Sequence, residues 1–491
     1  MGRTMKSVRY CVVLSVGLML VMIAGCLKVG PDYHSPQPSI PDQWHQELVA
    51  GLQKGKGPIE RWWKQFHDST LEELITRARN SNQDLASIYW RIHEAAWQFR
   101  AAGAGYAPTI DLAASASRRR VHEVESRLYN TSSKVTWELD LWGRVSRLLE
   151  SSKATYQAEI ENYRDALVVL YSNVAETYVN LRVIQKRLDY ARQNVARLEK
   201  ILQITQDRMK AGNAMPYDVE RARSYLCRVK STIPSLEQAY QQQVNHLAVL
   251  LGGLPEDLRK KLSHPNPIPA PPASVVVNIP ADWIRQRPDI RRAERELAAQ
   301  NARIGVATAD LYPRLTLLGA FSYEGVSLRD LFSPANMIWS FGPSISWNIF
   351  NGGQVRASIM IEDARTQQAY ARYRQTVLKA IEEVENALVA YVKEQRRYEL
   401  LSEALVAGNK SLKAMAAMYQ AGLTSLREYL DEEGLIIDLQ DRLAISQGQR
   451  SINVIHLYKA MGGGWQSDIL ASSADKQIGT KAKKSTSNIK H

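Results

Sequence analysis

"WSFGPSISWNIF", residues 339–350, decides how this chain is read. Trp339, Phe341, Pro343, Ile345, Trp347 and Ile349 make one set of side chains; Ser340, Gly342, Ser344, Ser346 and Asn348 make the other. Successive residues of a strand point to opposite faces, so the stretch predicts a strand with one apolar face and one wet face. Its length suits a tilted transmembrane β-strand of about 9 to 11 residues. Yet it lies between segments patterned as long helices.

The stretch has a counterpart. In "KVTWELDL", residues 134–141, Val135, Trp137, Leu139 and Leu141 alternate with Lys134, Thr136, Glu138 and Asp140. Trp347 follows Trp137 by 210 residues, and the same spacing relates Gly353 to Gly143, Gly422 to Gly212 and Gly463 to Gly253. Ahead of the strands the spacing is 205, relating Pro313 to Pro108 and Asp289 to Asp84. One duplication accounts for all six pairs, with five residues inserted between the two strands of the second copy. Each copy reads as a helix, a proline, two strands around a polar loop, a very long helix, a glycine turn and a return helix. The strands are expected at about 109–118 and 134–141, and at about 314–323 and 338–350. The long helices are expected at about 144–211 and 355–421, each on the order of 100 Å. Apolar residues at spacings of 3 and 4, such as Leu167, Leu170, Val174, Tyr178 and Leu181, and then Val377, Ile381, Val384 and Leu388, predict coiled-coil seams.

The chain has 491 residues, 23% of them charged, and a formal net charge of +13. That composition excludes a disordered chain and a bundle of membrane helices. The positive charges are spread along helices and the C-terminal tail, with no basic stripe interleaved with aromatics, so no nucleic-acid partner is expected. Arg3, Lys6 and Arg9 precede an apolar run, Cys11–Ile23, that ends in "IAGC". This is the layout of a secretory signal, and the run is too short to span a membrane comfortably. The cysteine directly after small residues resembles a bacterial lipobox, which implies cleavage before Cys26 and acylation there; the plainer alternative is a cleaved signal with an incidental Cys26. Residue 27 is Leu rather than Asp, which favours the outer membrane. Cys227 then remains alone, so no internal disulfide framework is expected. The expected division is a signal peptide at 1–25, a lipid-anchored extended segment at 26–58, repeat one at 59–265, a Pro-rich linker at 266–281, repeat two at 282–465 and a disordered Lys-rich tail at 466–491.

Inside lipid every backbone N–H and C=O must be paired, so strands span only as a closed barrel. Four strands fall short of the roughly eight that the smallest barrels need, so several copies must share one barrel. Trp339, Phe341, Ile345 and Trp347, with Val135 and Trp137 from copy one, are expected to face lipid. Ser340, Ser344, Ser346, Asn348, Lys134, Glu138 and Asp140 are expected to face a wet lumen.

Several motifs, in order and duplicated, resemble the TolC-like outer-membrane channels, in particular the lipoprotein branch that serves tripartite efflux pumps. They are "VGPDYHSP" (29–36), "WWKQFHDSTLEELI" (62–75), "SKVTWELDLWGR" (133–144), "RQRPDIRRAERELAAQNARIGVATADLYPRLTL" (285–317), "SFGPSISWNIFNGGQVRA" (340–357) and "MGGG" (461–464). The resemblance implies a mainly α fold with a small β part: a long antiparallel coiled-coil α-helical barrel, and a 12-stranded transmembrane β-barrel shared by three chains. It implies a homotrimer in the outer membrane that extends into the periplasm, a periplasmic adaptor, an inner-membrane RND-type pump, outer-membrane lipids around the barrel, and no chemistry by the channel itself. No cofactor is expected beyond the covalent lipid on Cys26.

The resemblance also implies a gate. Acidic residues six and nine positions after the glycine of the second tip turn are Glu428 and Asp431. Three apart, they share a helix face. In a trimer they would ring the axis, with like charges raising each other's pKa and holding cations. The plainer reading makes them two solvated helix acids. Arg427 and Arg442 are both candidate partners. The copy-one counterpart, Asp218, is followed by Arg221 and departs from the paired-acid pattern. Gly212 and Gly422 are expected to supply positive φ at the tip turns.

No GxSxG, GxxxxGK[ST] or HExxH is present, and the nine His are scattered. Met209, Met215, Met415 and Met418, near the tips, read as packing rather than as a soft-metal relay. The chain is therefore expected to be no enzyme. The function expected is passive export of drugs or other small molecules. Heavy-metal efflux, type I protein secretion, and a lipid-anchored scaffold without a pore stay open.

Overall fold

The computed structural model describes residues 28–467, apart from 38, 39, 42, 56, 58, 278–282 and 285. The segment expected as a signal peptide, Cys26 and nearly all of the tail lie outside the described residues. Among the described residues no helix is long and apolar enough to cross a membrane.

The chain divides into two compact units. The first holds the N-terminal residues up to Pro38, Trp90–Glu159 and Arg291–Gln375. Its centre is a four-stranded antiparallel sheet of β2 (Thr109–Val121), β3 (Val124–Leu139), β5 (Arg314–Gly325) and β6 (Met337–Ser346), in the order β2-β3-β5-β6. Each copy contributes one hairpin, and β3 joins them to β5. Register repeats with the sequence: Thr109 faces Thr136 in the first hairpin, and moving these by 205 and 210 gives the observed pair Arg314 and Ser346 in the second.

Copy one differs from expectation at the far end of its hairpin. Residues 119–133, expected mostly as polar loop, continue the strands to a two-residue turn at His122 and Glu123, whose φ of 46° and 70° are both positive as a type I′ turn requires. Pairing fixed by the apolar rows below carries the polar residues along. Both second strands stop earlier than expected, at Leu139 and Ser346. In copy one Asp140 leaves the sheet to start the next helix.

That helix, α3 (Arg144–Lys210), and its counterpart α8 (Gln354–Gln420) have 67 residues each. The preceding helices are α1 (Ser69–Ser81) and α2 (Gln83–Gly103), and in copy two α7 (Pro288–Ala309). The return legs are unequal. Copy two returns in one helix of 35 residues, α9 (Leu426–Ala460). Copy one returns in two, α4 (Pro216–Lys230) and α5 (Thr232–Leu250), followed by α6 (Pro255–Leu262). Pro234 has no N–H for the carbonyl four residues back, which interrupts the helix there.

The second unit contains Ser39–Tyr89, Ile160–Ile290 and Thr376 onward. Its core includes the seam residues Leu167, Val174, Tyr178, Leu181, Val384 and Leu388, all fully buried. Trp62 and Trp63 are buried beside it, Trp62 stacked on Tyr458 at 5.6 Å between ring centroids. Asp68 caps α1 by accepting from the Leu71 N–H at 3.0 Å. Arg287 is buried and bridges the Ala460 carbonyl, Asp289 and Glu383 at 2.7, 2.6 and 2.8 Å. A short parallel pair, β1 (Leu52–Lys54) with β4 (Val275–Val277), was not anticipated, because three residues leave no period to read.

Candidate functional site

Three regions carry the functional expectations, beginning with the faces of the sheet. Residues directly opposed in an antiparallel pair point to the same face. Val135 is opposite Gly319, and Gly319 is opposite Phe341. Alternation then puts Ile110, Leu112, Val135, Trp137, Leu315, Leu317, Phe321, Trp339, Phe341 and Ile345 on one face. Leu112 and Phe341 are 82% and 76% exposed, large apolar side chains left uncovered among the described residues. The other face carries Asp111, Ser115, Lys134, Thr136, Ser322, Ser340, Ser344 and Ser346. Trp347 lies one residue past β6, and its indole N–H donates to the Leu311 carbonyl at 3.0 Å. Trp137 makes the equivalent bond to the Tyr106 carbonyl at 2.9 Å. The sequence spacings of 210 and 205 relate both partners, so the duplication extends to single hydrogen bonds. Glu138 and Asp140 both have partners within the chain: Arg144 grips Glu138 at 2.8 and 2.7 Å, and Asp140 accepts from the Val145 and Ser146 N–H groups at 2.9 and 2.8 Å.

The second region is the pair of turns after the long helices. Gly212 and Gly422 have φ of +75° and +80°. Both turns close as Schellman motifs, with Asn213 N–H to the Arg208 carbonyl at 2.8 Å and Leu423 N–H to the Met418 carbonyl at 2.9 Å. Glu428 opens α9 as part of a capping box. Its carboxylate accepts from the Ser425 N–H at 3.1 Å and from the Thr424 hydroxyl, while Ser425 Oγ accepts from the Glu428 N–H at 3.3 Å. Asp218 reaches back in the same way to the Met215 N–H at 3.2 Å. The bonds from Thr424 and Ser425 hold the Glu428 carboxyl below its usual range within the single chain. Asp431 is exposed one turn further on, 3.8 Å from Arg427. Arg442 pairs with Asp438 at 2.8 Å instead of with either acid.

Beneath these acids lies a network the sequence did not announce. Arg208 donates to the Tyr419 carbonyl at 2.6 Å and sits over its ring; the Tyr419 hydroxyl meets Thr205 at 2.8 Å. Tyr419 stacks on Tyr429, whose hydroxyl donates to the fully buried Glu433 at 3.2 Å. Arg197 pairs with Glu433 at 2.9 Å. Burial, then the neighbouring Glu433 charge, push the Tyr429 phenol upward. One protomer thus ties α3, α8 and α9 together just inside the turns. Of the tip methionines, Met415 packs in the same cluster, whereas Met215 and Met418 are 64% and 42% exposed and do not serve as packing in the single chain.

The third region is the N-terminal strap, residues 28–37. Arg147, wholly buried, donates to the Val29 and Gly30 carbonyls at 3.0 and 2.9 Å and pairs with Asp32 and Glu150 at 2.9 and 3.0 Å. Lys28 also reaches Glu150, at 2.5 Å. Burial pushes the Glu150 carboxyl up, but Lys28 and Arg147 outweigh it and hold it below the usual carboxylate range. Gly30 lies against Gly305, where a Cβ would stand 2.4 Å from the Gly305 Cα. Tyr33 donates to Glu294 at 2.6 Å. The motif "VGPDY" thus has a mechanical meaning, whereas Arg147 looked like one more helix arginine.

Comparison with known proteins agrees with this geometry. The family model of the outer membrane efflux protein matches the chain twice, over residues 74–253 and 280–463. Nodulation protein T of Rhizobium leguminosarum bv. trifolii is 30% identical over 431 residues, 86% of this chain and 91% of that protein. A protein of Salmonella typhimurium described as probable outer membrane lipoprotein SilC is 26% identical, over 92% of this chain and 98% of its own length. The solved structure of the outer-membrane channel OprN is 33% identical and superimposes with a TM-score of 0.83, covering 89% of this chain and all of that one. A sheet with one apolar face, carried on paired 67-residue helices, defines an outer-membrane channel subunit. The chain belongs to the outer membrane efflux protein family. It is a passive channel component of a tripartite efflux system and not an enzyme, so the scaffold without a pore is set aside.

Proposed function

We propose that three copies of the chain close one twelve-stranded barrel, anchored through lipid on Cys26, and export drugs or other small molecules delivered by a periplasmic adaptor and an RND-type inner-membrane pump. The observation that carries this reading is a four-stranded sheet with one apolar face and two outer strands, β2 and β6, whose outer edges are unpaired among the described residues. The duplication supplies the register of closure. Within the chain β3 pairs with β5, Trp137 opposite Leu317 and Thr136 opposite Leu318. The same relation moved by one repeat pairs β6 with β2 of a neighbouring copy, setting Trp347 opposite Leu112 and Ser346 opposite Ala113. It also seats α2, with its exposed Trp90 and Trp97, on α8 of the neighbour, as α7 sits on α3 through Ala298 and Ala154.

In this assembly Glu428 and Asp431 form an acidic ring at the periplasmic tip, with Asp218 and Arg427 in lesser roles. Their exposure at the start of α9, beside the Gly422 turn, supports this placement. Lipid anchoring is supported by the "IAGC" stretch and by the strap that fixes residues 28–37.

The test is the susceptibility of a deletion strain to a panel of drugs and metal ions, complemented with wild type, with Cys26→Ser, or with Glu428→Gln plus Asp431→Asn. Glutamine keeps the capping bond and removes the charge. Restored resistance to several unrelated drugs is expected, with leakage of a large antibiotic such as vancomycin in the double variant. Resistance confined to metal ions would make the cargo cationic, and an unchanged panel would move secretion forward.

A further inference from the structure

The end of the first hairpin carries Arg118, Arg119, Arg120 and Arg127 within ten residues. Register divides them. Arg118 is opposite Arg127 and Arg120 is opposite Glu125, all on the face that continues Ile110, Leu112, Val135 and Trp137. Arg119 alone takes the other face. Three arginines and one glutamate therefore extend the apolar face beyond its last aromatic rows, Tyr129 and Tyr323. Glu125 pairs with Arg118, which leaves Arg120 and Arg127 without an acidic partner among the described residues. Like charges directly opposed across strands destabilise a sheet, and one glutamate among three arginines offsets only part of that here. Arg118 and Arg127 are such a pair, and both are exposed.

Their height is as informative as their face. Arg127 is ten residues along β3 from Trp137. At about 3.4 Å per residue and a tilt of about 40°, it stands about 26 Å above that tryptophan, against an apolar band about 25 Å tall. The arginines leave the hydrocarbon at the level of the far leaflet's headgroups.

We propose that Arg118, Arg120 and Arg127 form a binding site for the phosphate groups of outer-leaflet glycolipid headgroups. This rests on the reading that the apolar face of the sheet meets lipid. Guanidinium groups bind phosphate oxygens bidentately, and an anion here would relieve the Arg118–Arg127 repulsion. The second hairpin offers no such cluster, since its end, "VSLRDLFSPAN", carries one arginine and one aspartate. The site therefore recurs once per chain.

The experiment reconstitutes the full chain into phosphatidylethanolamine vesicles containing either diphosphoryl lipid A or its dephosphorylated form, and measures lipid retained per protein after re-extraction. Wild type is expected to prefer the phosphorylated lipid by at least about tenfold. R118Q/R120Q/R127Q is expected to insert equally and to lose that preference. Millimolar inorganic phosphate is expected to leave retention unchanged. Equal retention of both lipids by inserted wild type, or an undiminished preference in the triple variant, would overturn the arginine site alone. Displacement by inorganic phosphate would overturn the lipid assignment. Failure of wild type to insert at all would overturn the lipid-facing sheet, and this site with it.

Discussion

The two strand-to-helix exits occupy equivalent places in the two copies and are held by different means. At the first, residues 138–144, Arg144 grips Glu138, Asp140 caps α3, and Trp142 donates to the Pro313 carbonyl at 2.8 Å. Gly143, at φ +75°, lies so close to the strap that a Cβ would stand 2.9 Å from the Lys28 Cα. At the second, residues 348–354, Asn348, Phe350 and Gln354 replace the three charged residues. Gly352 and Gly353 take φ of +60° and +87° with nothing within 4 Å, and one backbone bond of 3.2 Å, Gln354 N–H to the Asn351 carbonyl, closes the turn. Backbone geometry is enough to turn a strand into a helix here. The charges gather where the strap crosses, and the position equivalent to Arg147 in copy two is Ala357.

The comparison breaks most visibly at Arg147. Arg147→Ala takes the guanidinium away from two strap carbonyls and Asp32 and leaves Glu150 with Lys28 alone; hydrogen bonds to a charged group contribute about 1.5–3 kcal/mol, so a loss of that order is expected. Denaturant unfolding in detergent should show that loss, and limited proteolysis should cut residues 28–37 early. Strap protection equal to wild type would mean that Arg147 is no clamp. A smaller effect separates the two glycines. Gly143→Ala and Gly353→Ala both force a side chain into positive φ, about 1 kcal/mol or more each. Only Gly143→Ala also meets the Lys28 backbone, so it should lower the unfolding midpoint further; equal shifts would remove the distinction between the exits. The smallest effect is a pH dependence. The folded-state pKa of Glu150 is depressed, so its contribution is present above the ordinary glutamate value of about 4.3 and is lost as pH falls below it. Strap protection should weaken below about pH 4 in wild type and weaken less over that range in Glu150→Gln, where Asp32 and Glu294 still titrate.

Much of this molecule was legible because the chain states it twice. The spacings of 205 and 210 located both hairpins and both long helices, and they hold at the level of the Trp137 and Trp347 indole bonds. Period-2 alternation found the strands wherever one face is apolar. It failed at Arg119–Ser133, where polar residues predominate on both faces, the few apolar ones form no alternating row, and pairing from below carries the strand on. The partners of Glu138 and Asp140 were not legible, because Arg144 and the first N–H groups of α3 become their neighbours only once the turn has formed. Tyr419, Glu433 and Arg197 are far apart in sequence, and no local period connects them. Glu428 carries two descriptions: the resemblance implies an axial acid at its spacing from Gly422, and its bonds make it a helix cap.

The unpaired edges of β2 and β6 set an order of events in the life of the protein. A lone subunit whose sheet entered hydrocarbon would carry two rows of unpaired backbone groups with it, each costing several kcal/mol. In the proposed assembly, insertion therefore waits for, or coincides with, the meeting of copies. The rate at which channels mature should then rise more steeply than linearly with the supply of newly exported chains, so that a cell halving its synthesis would lose more than half of its rate of channel formation.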